Sequence, residues 1–494
     1  MAERFFFAKN KTFFDSFFLL TLYPMNSSNL YRPLGLTGLF CHPVGFGSYR
    51  IGEGNSTHES ALRQYLDGGG NLIDTSANYG DGLSETLIGR VMKDYDRSKI
   101  VLVTKGGYIQ GQNMILAGHR TFPEVVEYGE NLWHCIHPEF LETQIERSLR
   151  RMQTHTIDVY LLHNPEYFIN YAAQLNPITE EILIEFYRRI RQAFEFLESQ
   201  VTAGKLRYYG ISSNNFGFHE KDRARTSVER ALKEAESISP KHHFRLIQLP
   251  LNLYEAGAAV YPTHNGTTVL NFCKTHDIGV LINRPLNAFH KSKLYRIADY
   301  IKPGESKPGE KELDGLLQPL RESEKQFNLL FGGEAFGSER EGVAAYLRFV
   351  ALDLPSGDYW EGVMSQYIVP PVTHWMRQAQ ELFGQDERWN DWQKQFITSI
   401  NRTLDGIERF LSASKQNTSD GIRRDLYQSG YPESNESLSR IGMSLLMQLD
   451  GVTCVLNGMR SPEYVTDAMG VPEMPHVDAQ SIIKNFFEKL NSEE

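Results

Sequence analysis

From Tyr31 onward, short apolar runs alternate with stretches whose apolar positions recur every three or four residues. That alternation predicts parallel strands joined by helices. Strands are predicted at residues 43–49, 71–74, 100–105, 157–163, 206–212, 246–249, 278–282 and 452–456. The intervening helices have their own signatures. Ser56-Thr57-His58-Glu59 reads as a capping box and Gly68-Gly69-Gly70 as the stop of the helix it opens. Later helical faces are Leu87, Ile88 and Val91; Phe140, Leu141, Ile145, Leu149 and Met152; and Phe186, Ile190, Phe194 and Leu197. Further helices are predicted from about Thr226, over 268–276 and from Ser461. Eight strands, each followed by a helix, is the count that closes a (β/α)8 TIM barrel.

Strand eight comes late, so the barrel is expected to carry a large, mostly helical insertion between strands 7 and 8 on its C-terminal rim. Residues 287–450 form that insertion, with mixed charge and Pro/Gly punctuation over 301–314 and helical patterns near 343–354, 372–382 and 389–411. Strands 1 to 7 fall in 26–286, and strand 8 with the closing helices in 451–494. Residues 1–25 differ from the rest, being rich in phenylalanine with Arg4, Lys9 and Lys11 before Phe17-Phe18-Leu19-Leu20. Asp15 interrupts the apolar stretch, no small-x-small cleavage site follows, and the run is too short to cross a bilayer. These residues are expected to be a disordered leader or to precede a natural start at Met25.

Composition narrows the class without naming a chemistry. A formal net charge of -10 and no extended basic cluster argue against a nucleic-acid surface. The four cysteines, Cys41, Cys135, Cys273 and Cys454, are far apart and contain no Cys-x-x-Cys pair, so neither a zinc site nor a disulfide framework is expected. A reducing cytoplasm is the simplest location, and no membrane partner is implied. The barrel gives no symmetry signal from which to read an oligomeric state.

In such a barrel the C-terminal strand ends converge on one mouth. Asp74 ends strand 2, Lys105 strand 3 and His163 strand 4, and Tyr79 lies on the glycine-punctuated loop leaving strand 2. Each alone could be a turn carboxylate, a surface lysine or a hydrogen-bonded core histidine. As a set at successive strand ends they suit carbonyl reduction. Tyr79 would give the proton to the carbonyl oxygen, and because a free phenol has a pKa of about 10, a neighbouring cation is needed to favour the phenolate. Lys105 would supply that cation, Asp74 would hold the ammonium, and His163 would orient and polarise the carbonyl. No side chain can deliver hydride, so a nicotinamide cofactor is implied.

The runs Asp74-Thr75-Ser76-x-x-Tyr79-Gly80 with Glu85, Val103-Thr104-Lys105, and Ile157 to His163 resemble the aldo-keto reductases, as do the later stretches 206–214, Ile247-Gln248, Arg284-Pro285-Leu286 and 452–464. The resemblance covers roughly 31–286 and 452–468. It implies that Asp74, Tyr79, Lys105 and His163 carry the reduction. It further implies that Ser212 and Gln248 hydrogen-bond the nicotinamide carboxamide, and that the segments after strands 7 and 8 hold the cofactor phosphates. For the last of these, Gly458 and the helix start at Ser461 offer backbone N–H groups and a positive dipole end.

Several positions depart from the family pattern. Ser213, Asn214 and Asn215 follow the strand-5 serine, leaving open which of them reaches the cofactor. Asn283 stands where an aromatic usually stacks on the nicotinamide. Arg284 is placed either on the pyrophosphate or in an ion pair. Gly458-Met459 replace the pair that binds the adenosine 2'-phosphate in many members, with Arg460 a candidate substitute. NADP is the expected cofactor and NAD the alternative; the substrate is expected to be a small carbonyl compound, or the corresponding alcohol or sugar. A second class of function is a cofactor-binding regulatory or sensor subunit. Aromatic residues of the loop after strand 3 (Phe122, Tyr128, Trp133, with His134) and of the insertion (Trp360, Tyr367, Trp375) are candidates either for shaping the pocket or for core packing.

Overall fold

A computed structural model describes residues 30–263, 266–291, 293–301, 304–306, 308–332, 342–354 and 359–492. The expected leader, 1–25, and Met25 as a start lie outside the described residues. Two compact units are present: one holds the chain up to Leu249 with 261–283 and 450–473, the other 250–260, 284–449 and the residues from Met474 on.

In the first unit, eight parallel strands close on themselves: β1 (Val44–Gly47), β2 (Leu72–Asp74), β3 (Val101–Gly106), β4 (Ile157–His163), β5 (Leu206–Ser212), β6 (Phe244–Pro250), β7 (Gly279–Asn283) and β8 (Cys454–Gly458). Each strand lies between its neighbours in chain order, and β8 returns to pair with β1. Helices α1 (Ser56–Asp67), α2 (Leu83–Met92), α3 (Pro138–Arg151), α4 (Glu180–Thr202), α5 (Val228–Ile238) and α6 (Val269–Thr275) follow strands 1 to 6.

Because side chains alternate faces along a strand, one parity fills the barrel interior. Leu72, Val101, Val103, Val159, Leu161, Leu246, Leu281, Cys454 and Leu456 form one buried cluster. The alternate positions Ile73, Leu102, Tyr160 and Leu162 are equally buried, so these strands read as continuous apolar runs.

Helix starts follow local capping chemistry. Asn55, and not the Ser56 box expected from the sequence, caps α1, its side chain accepting from the Thr57 and His58 N–H groups. Asparagine is among the best N-cap residues. Gly89 lets α2 seat against the end of α3: a Cβ there would lie 2.5 Å from the Arg151 carbonyl oxygen. The loop after β3 has more order than its glycine and aromatic content suggested. It folds a three-stranded antiparallel sheet from Tyr108–Ile109, Leu132–His134 and Val126–Gly129, with a helix at Gln112–His119. Phe122 packs there with Ile109, Cys135 and Phe140.

The second unit is mostly helical. Glu310–Phe331 and Glu387–Ser412 supply much of an aromatic core in which Trp392 stacks on Phe396 and donates its indole N–H to the Ser323 carbonyl at 2.8 Å. Trp360 is buried in this cluster and Trp375 packs against it, so both are core; Tyr367 is exposed. All four cysteines are buried and free. Among the described residues no helix is long and apolar enough to cross a membrane.

Candidate active site

The parity that fills the barrel also builds its mouth. Two residues beyond the apolar interior positions, the same faces carry Asp74 after Leu72, Lys105 after Val103, His163 after Leu161, Gln248 after Leu246 and Asn283 after Leu281. Register places them side by side: Lys105 pairs with Leu161, and Ser212 pairs with both His163 and Gln248.

Lys105 is fully buried and Asp74 is 4% exposed. The Lys105 ammonium donates to Asp74 Oδ2 at 2.8 Å, to the Thr75 carbonyl at 2.8 Å and to the Tyr79 hydroxyl at 3.4 Å. Asp74 Oδ1 accepts from Gln248 Nε2 at 2.7 Å, while Gln248 Oε1 accepts from Ser212 Oγ at 3.1 Å and Asn283 Nδ2 at 3.2 Å. Gln248, which the family resemblance assigns with Ser212 to the carboxamide, therefore also holds the carboxylate, and Ser212 holds Gln248. Asn283 Oδ1 is a buried acceptor with no partner.

Tyr79 reaches the ammonium because its loop is pinned at both sides. The Ala77 N–H donates to the Lys105 carbonyl and the Tyr79 N–H to the Ser76 carbonyl, each at 3.1 Å. Gly82, at φ +91, then turns the chain into α2, which the left-handed region permits for glycine. Buried Glu85 on α2 accepts from Thr104 Oγ1 at 2.6 Å and from Arg151 at 2.6 Å, tying α2 to β3 and α3.

Burial opposes the Lys105 charge, but Asp74 and Tyr79 outweigh it and raise its pKa, so the ammonium persists. For Tyr79 the balance goes the other way. Burial raises its pKa, and the lowering by Lys105 does not overcome that, so the ligand-free side chain is a phenol without the net lowering expected from the neighbouring cation. Asp74 is also raised, by burial, with Lys105 and Gln248 pulling against it. His163 is pushed well below the ordinary histidine value by burial and by the Lys105 charge, so its ring is neutral.

Around His163, Tyr108 meets the ring edge-on at 4.7 Å and accepts from Asn164 Nδ2 at 2.6 Å. His134 Nε2 donates to the His163 carbonyl at 2.7 Å. Tyr108 and His134 lie in the loop after β3, three and 29 residues past Lys105; nothing in their spacing marked them as neighbours of His163.

Glu166, three residues beyond His163, has no sequence signal at all. It is 1% exposed and accepts from the Asn214 N–H at 2.8 Å. Burial pushes it from the ordinary 4.5 up to about 7. A raised native pKa means the protonated form is favoured in the fold. Its stabilising contribution is complete below the unfolded value and is lost as pH rises through about 7. Between those limits stability of the wild type should decline relative to Glu166→Gln by up to about 3 kcal/mol. Urea midpoints of both proteins across this range measure the difference; parallel curves would refute it.

Of the other expected cofactor residues, Ser213 Oγ contacts Thr226 Oγ1 at 2.8 Å and receives the Asn215 N–H at 3.1 Å, so it shapes the loop. Asn215 is likewise engaged, donating to the Ala224 carbonyl at 2.8 Å. Arg284, Pro285 and Leu286 belong to the second unit. There Arg284, at φ +52, pairs with Glu255 at 2.7 Å, the ion-pair alternative of the two weighed from sequence. Gly458 ends β8 in open space, Arg460 is exposed, and Ser461 makes no side-chain cap to the helix Pro462–Met469.

A sequence model described as the aldo/keto reductase family matches residues 43–328, more than half of the chain. The chain belongs to the aldo/keto reductase family. The match runs beyond Leu286 into the helix Glu310–Phe331, further than the motifs alone reached. Among curated aldo/keto reductases, YhdN of Bacillus subtilis (strain 168) is 30% identical over 234 residues, 46% of this chain and 54% of that protein. The NADH-specific methylglyoxal reductase of Escherichia coli (strain K12) is 30% identical over 139 residues, 26% of this chain and 40% of that protein. The chain thus spans about half the length of the curated relatives it matches. The solved holo form of aldo-keto reductase AKR11C1 from Bacillus halodurans is 18% identical, with 93% of this chain and 95% of that chain covered and a TM-score of 0.47.

Proposed function

We propose that this chain catalyses reversible reduction of a small aldehyde or ketone with a nicotinamide cofactor, NADP with NAD as the alternative, and that Tyr79 is the general acid. The observation that carries the reading is the buried Lys105 ammonium bonded to Asp74 at 2.8 Å and to the Tyr79 hydroxyl at 3.4 Å. A buried cation held on a phenol has one evident use, which is to stabilise the phenolate left when the phenol gives up its proton.

The residues present fit the cofactor. Asn283 Oδ1, buried and without a partner, is an acceptor for a carboxamide N–H beside Ser212 and Gln248. At the end of β8, the helix start at Ser461 lacks a side-chain cap and Arg460 stands exposed beside it, which suits a phosphate. When bound, the nicotinamide supplies the hydride that goes to the carbonyl carbon. Tyr79 gives its proton to the carbonyl oxygen, Lys105 stabilises the phenolate that remains, Asp74 balances the ammonium, and His163 hydrogen-bonds the same oxygen.

The test is a titration of the purified chain with NADPH and with NADH, followed by quenching of intrinsic fluorescence, and then addition of aldehydes and ketones while nicotinamide absorbance is watched. Binding with turnover is the expected result, and the tighter cofactor is the working one. Binding without turnover on any carbonyl would favour a sensor subunit, and no binding of either would refute the reading.

A further inference from the structure

Ser76, Asn78 and Gln110 form a hydrogen-bonded row that ends on the ring of His163. Ser76 Oγ lies 2.9 Å from His163 Nδ1 and 2.7 Å from Asn78 Oδ1, and Asn78 Nδ2 lies 3.1 Å from Gln110 Oε1. Ser76 is 1% and His163 is 7% exposed, so bulk water does not compete for the contact between them, while Asn78 and Gln110 are half-buried. His163 Nε2 makes no hydrogen bond among the described residues.

A serine hydroxyl carries one proton, and a neutral imidazole carries one N–H. If Ser76 gives its proton to Asn78, then His163 must donate from Nδ1 and its Nε2 is a bare acceptor. If the Asn78 amide is turned so that its NH2 faces Ser76, Ser76 donates to Nδ1 and Nε2 carries the hydrogen. Turning the Asn78 and Gln110 amides together keeps all three contacts, since the oxygen and nitrogen of a side-chain amide are nearly equal in size. The Lys105 carbonyl, 3.4 Å from Ser76 Oγ, is the longest of the serine's contacts and already accepts the Ala77 N–H, so the polarity of the row selects the tautomer of the ring.

We propose that Ser76 and Asn78 are positioning residues that hold His163 as the Nε2–H tautomer, with donation running from Gln110 to Asn78 to Ser76 to Nδ1. This rests on the reading of His163 as the residue that orients the carbonyl. A bare Nε2 would repel a carbonyl oxygen, whereas an N–H there attracts it and attracts it more as negative charge develops. The residue types matter as well. An amide at 78 can present a donor toward Ser76, and an amide at 110 a donor toward Asn78, which a carboxylate at either position cannot.

That last point supplies the test. In Asn78→Asp, position 78 can only accept, so Ser76 must donate outward and His163 must move its proton to Nδ1. In Gln110→Glu the same reversal is forced from one residue further away, without altering either neighbour of the ring. The full chain, labelled with 15N-histidine, would be recorded at about pH 8, where the buried imidazole is neutral, with the His163 signals assigned by their loss in His163→Gln. Wild type should show a protonated Nε2 and a bare Nδ1, and both variants should exchange the two. Carbonyl reduction should fall about 100-fold in kcat, as when one oxyanion donor is lost, with cofactor affinity unchanged.

A wild type already protonated on Nδ1, or variants that keep the wild-type pattern, would overturn the proposal. Because the spectra need no turnover, a tautomer exchange in a chain that reduces no carbonyl would support the row and count against the function it is argued to serve.

Discussion

Replacing Tyr79 with phenylalanine is expected to lower kcat for carbonyl reduction by about 1,000-fold while leaving cofactor affinity and folding stability unchanged. The change removes one oxygen atom. Phenylalanine keeps the edge-on contacts of the ring with Tyr49 at 5.1 Å and His163 at 6.1 Å, and keeps its face toward the Lys105 ammonium, 5.0 Å from the ring centre. The hydroxyl makes the longest of the three Lys105 bonds, so the ammonium retains Asp74 and the Thr75 carbonyl, both at 2.8 Å. What disappears is the phenolic proton, which Lys105 cannot replace because it is fully buried and its charge is needed by Asp74. Steady-state kinetics with a fluorescence-measured Kd and a urea midpoint separate the three quantities. A variant with the wild-type kcat would remove Tyr79 from the mechanism, and a loss traced to Kd or to unfolding would make its role structural.

The barrel and the identities of its mouth residues were legible in the sequence because both follow from one period. β4 and β5 coincide with the predicted 157–163 and 206–212, and the ends of the other strands shift by at most two residues. The roles at the mouth were less legible, because hydrogen bonding there joins residues from strands far apart in the chain. Gln248 bonds Asp74 across 174 positions. No spacing rule could have predicted that the amide expected on the cofactor also holds the carboxylate. The electrostatic sign at Tyr79 also lay outside sequence reasoning, since it depends on how completely the phenol is buried.

In the second unit the patterns expected at 343–354, 372–382 and 389–411 are helices, Val343–Asp353, Val369–Phe383 and Glu387–Ser412, but periodicity failed elsewhere in it. The helix Glu310–Phe331 contains Pro319 and follows glycine- and proline-rich sequence, so the punctuation hid it. Its buried stripe of Leu313, Leu317, Leu320 and Phe327 holds the helix together despite the lost hydrogen bond. The helices Gln416–Gln428 and Leu438–Gln448 were missed as well. Both end that region close to Asp299, which accepts from Arg423 at 2.8 Å and from the Leu438 N–H at 2.6 Å, a partner more than a hundred residues earlier in the chain. The sheet over 108–134 escaped for the opposite reason, since strands of two to four residues are too short to display a period.

Lys105→Met should be the most damaging single change to the site in stability, and should slow the reaction as well. Methionine fills most of the same volume but leaves Asp74, 4% exposed, with Gln248 as its remaining side-chain donor. Removing one partner of a buried ion pair costs about 3–5 kcal/mol, and kcat should fall by about 100-fold or more for want of a cation beside the phenolate. The sign of the pH dependence follows from Asp74. Its pKa is already raised by burial, and without Lys105 pulling it down it rises further. A raised native pKa contributes stability at low pH that is lost as pH climbs through it, so the deficit of the variant should be smallest in acid and grow toward neutrality. The double variant Asp74→Asn with Lys105→Met removes the stranded charge, and should recover most of the stability at neutral pH and none of the activity. Recovery of neither would mean that Lys105 matters to the fold chiefly through its bond to the Thr75 carbonyl. Recovery of both would mean that the phenol works without its cation.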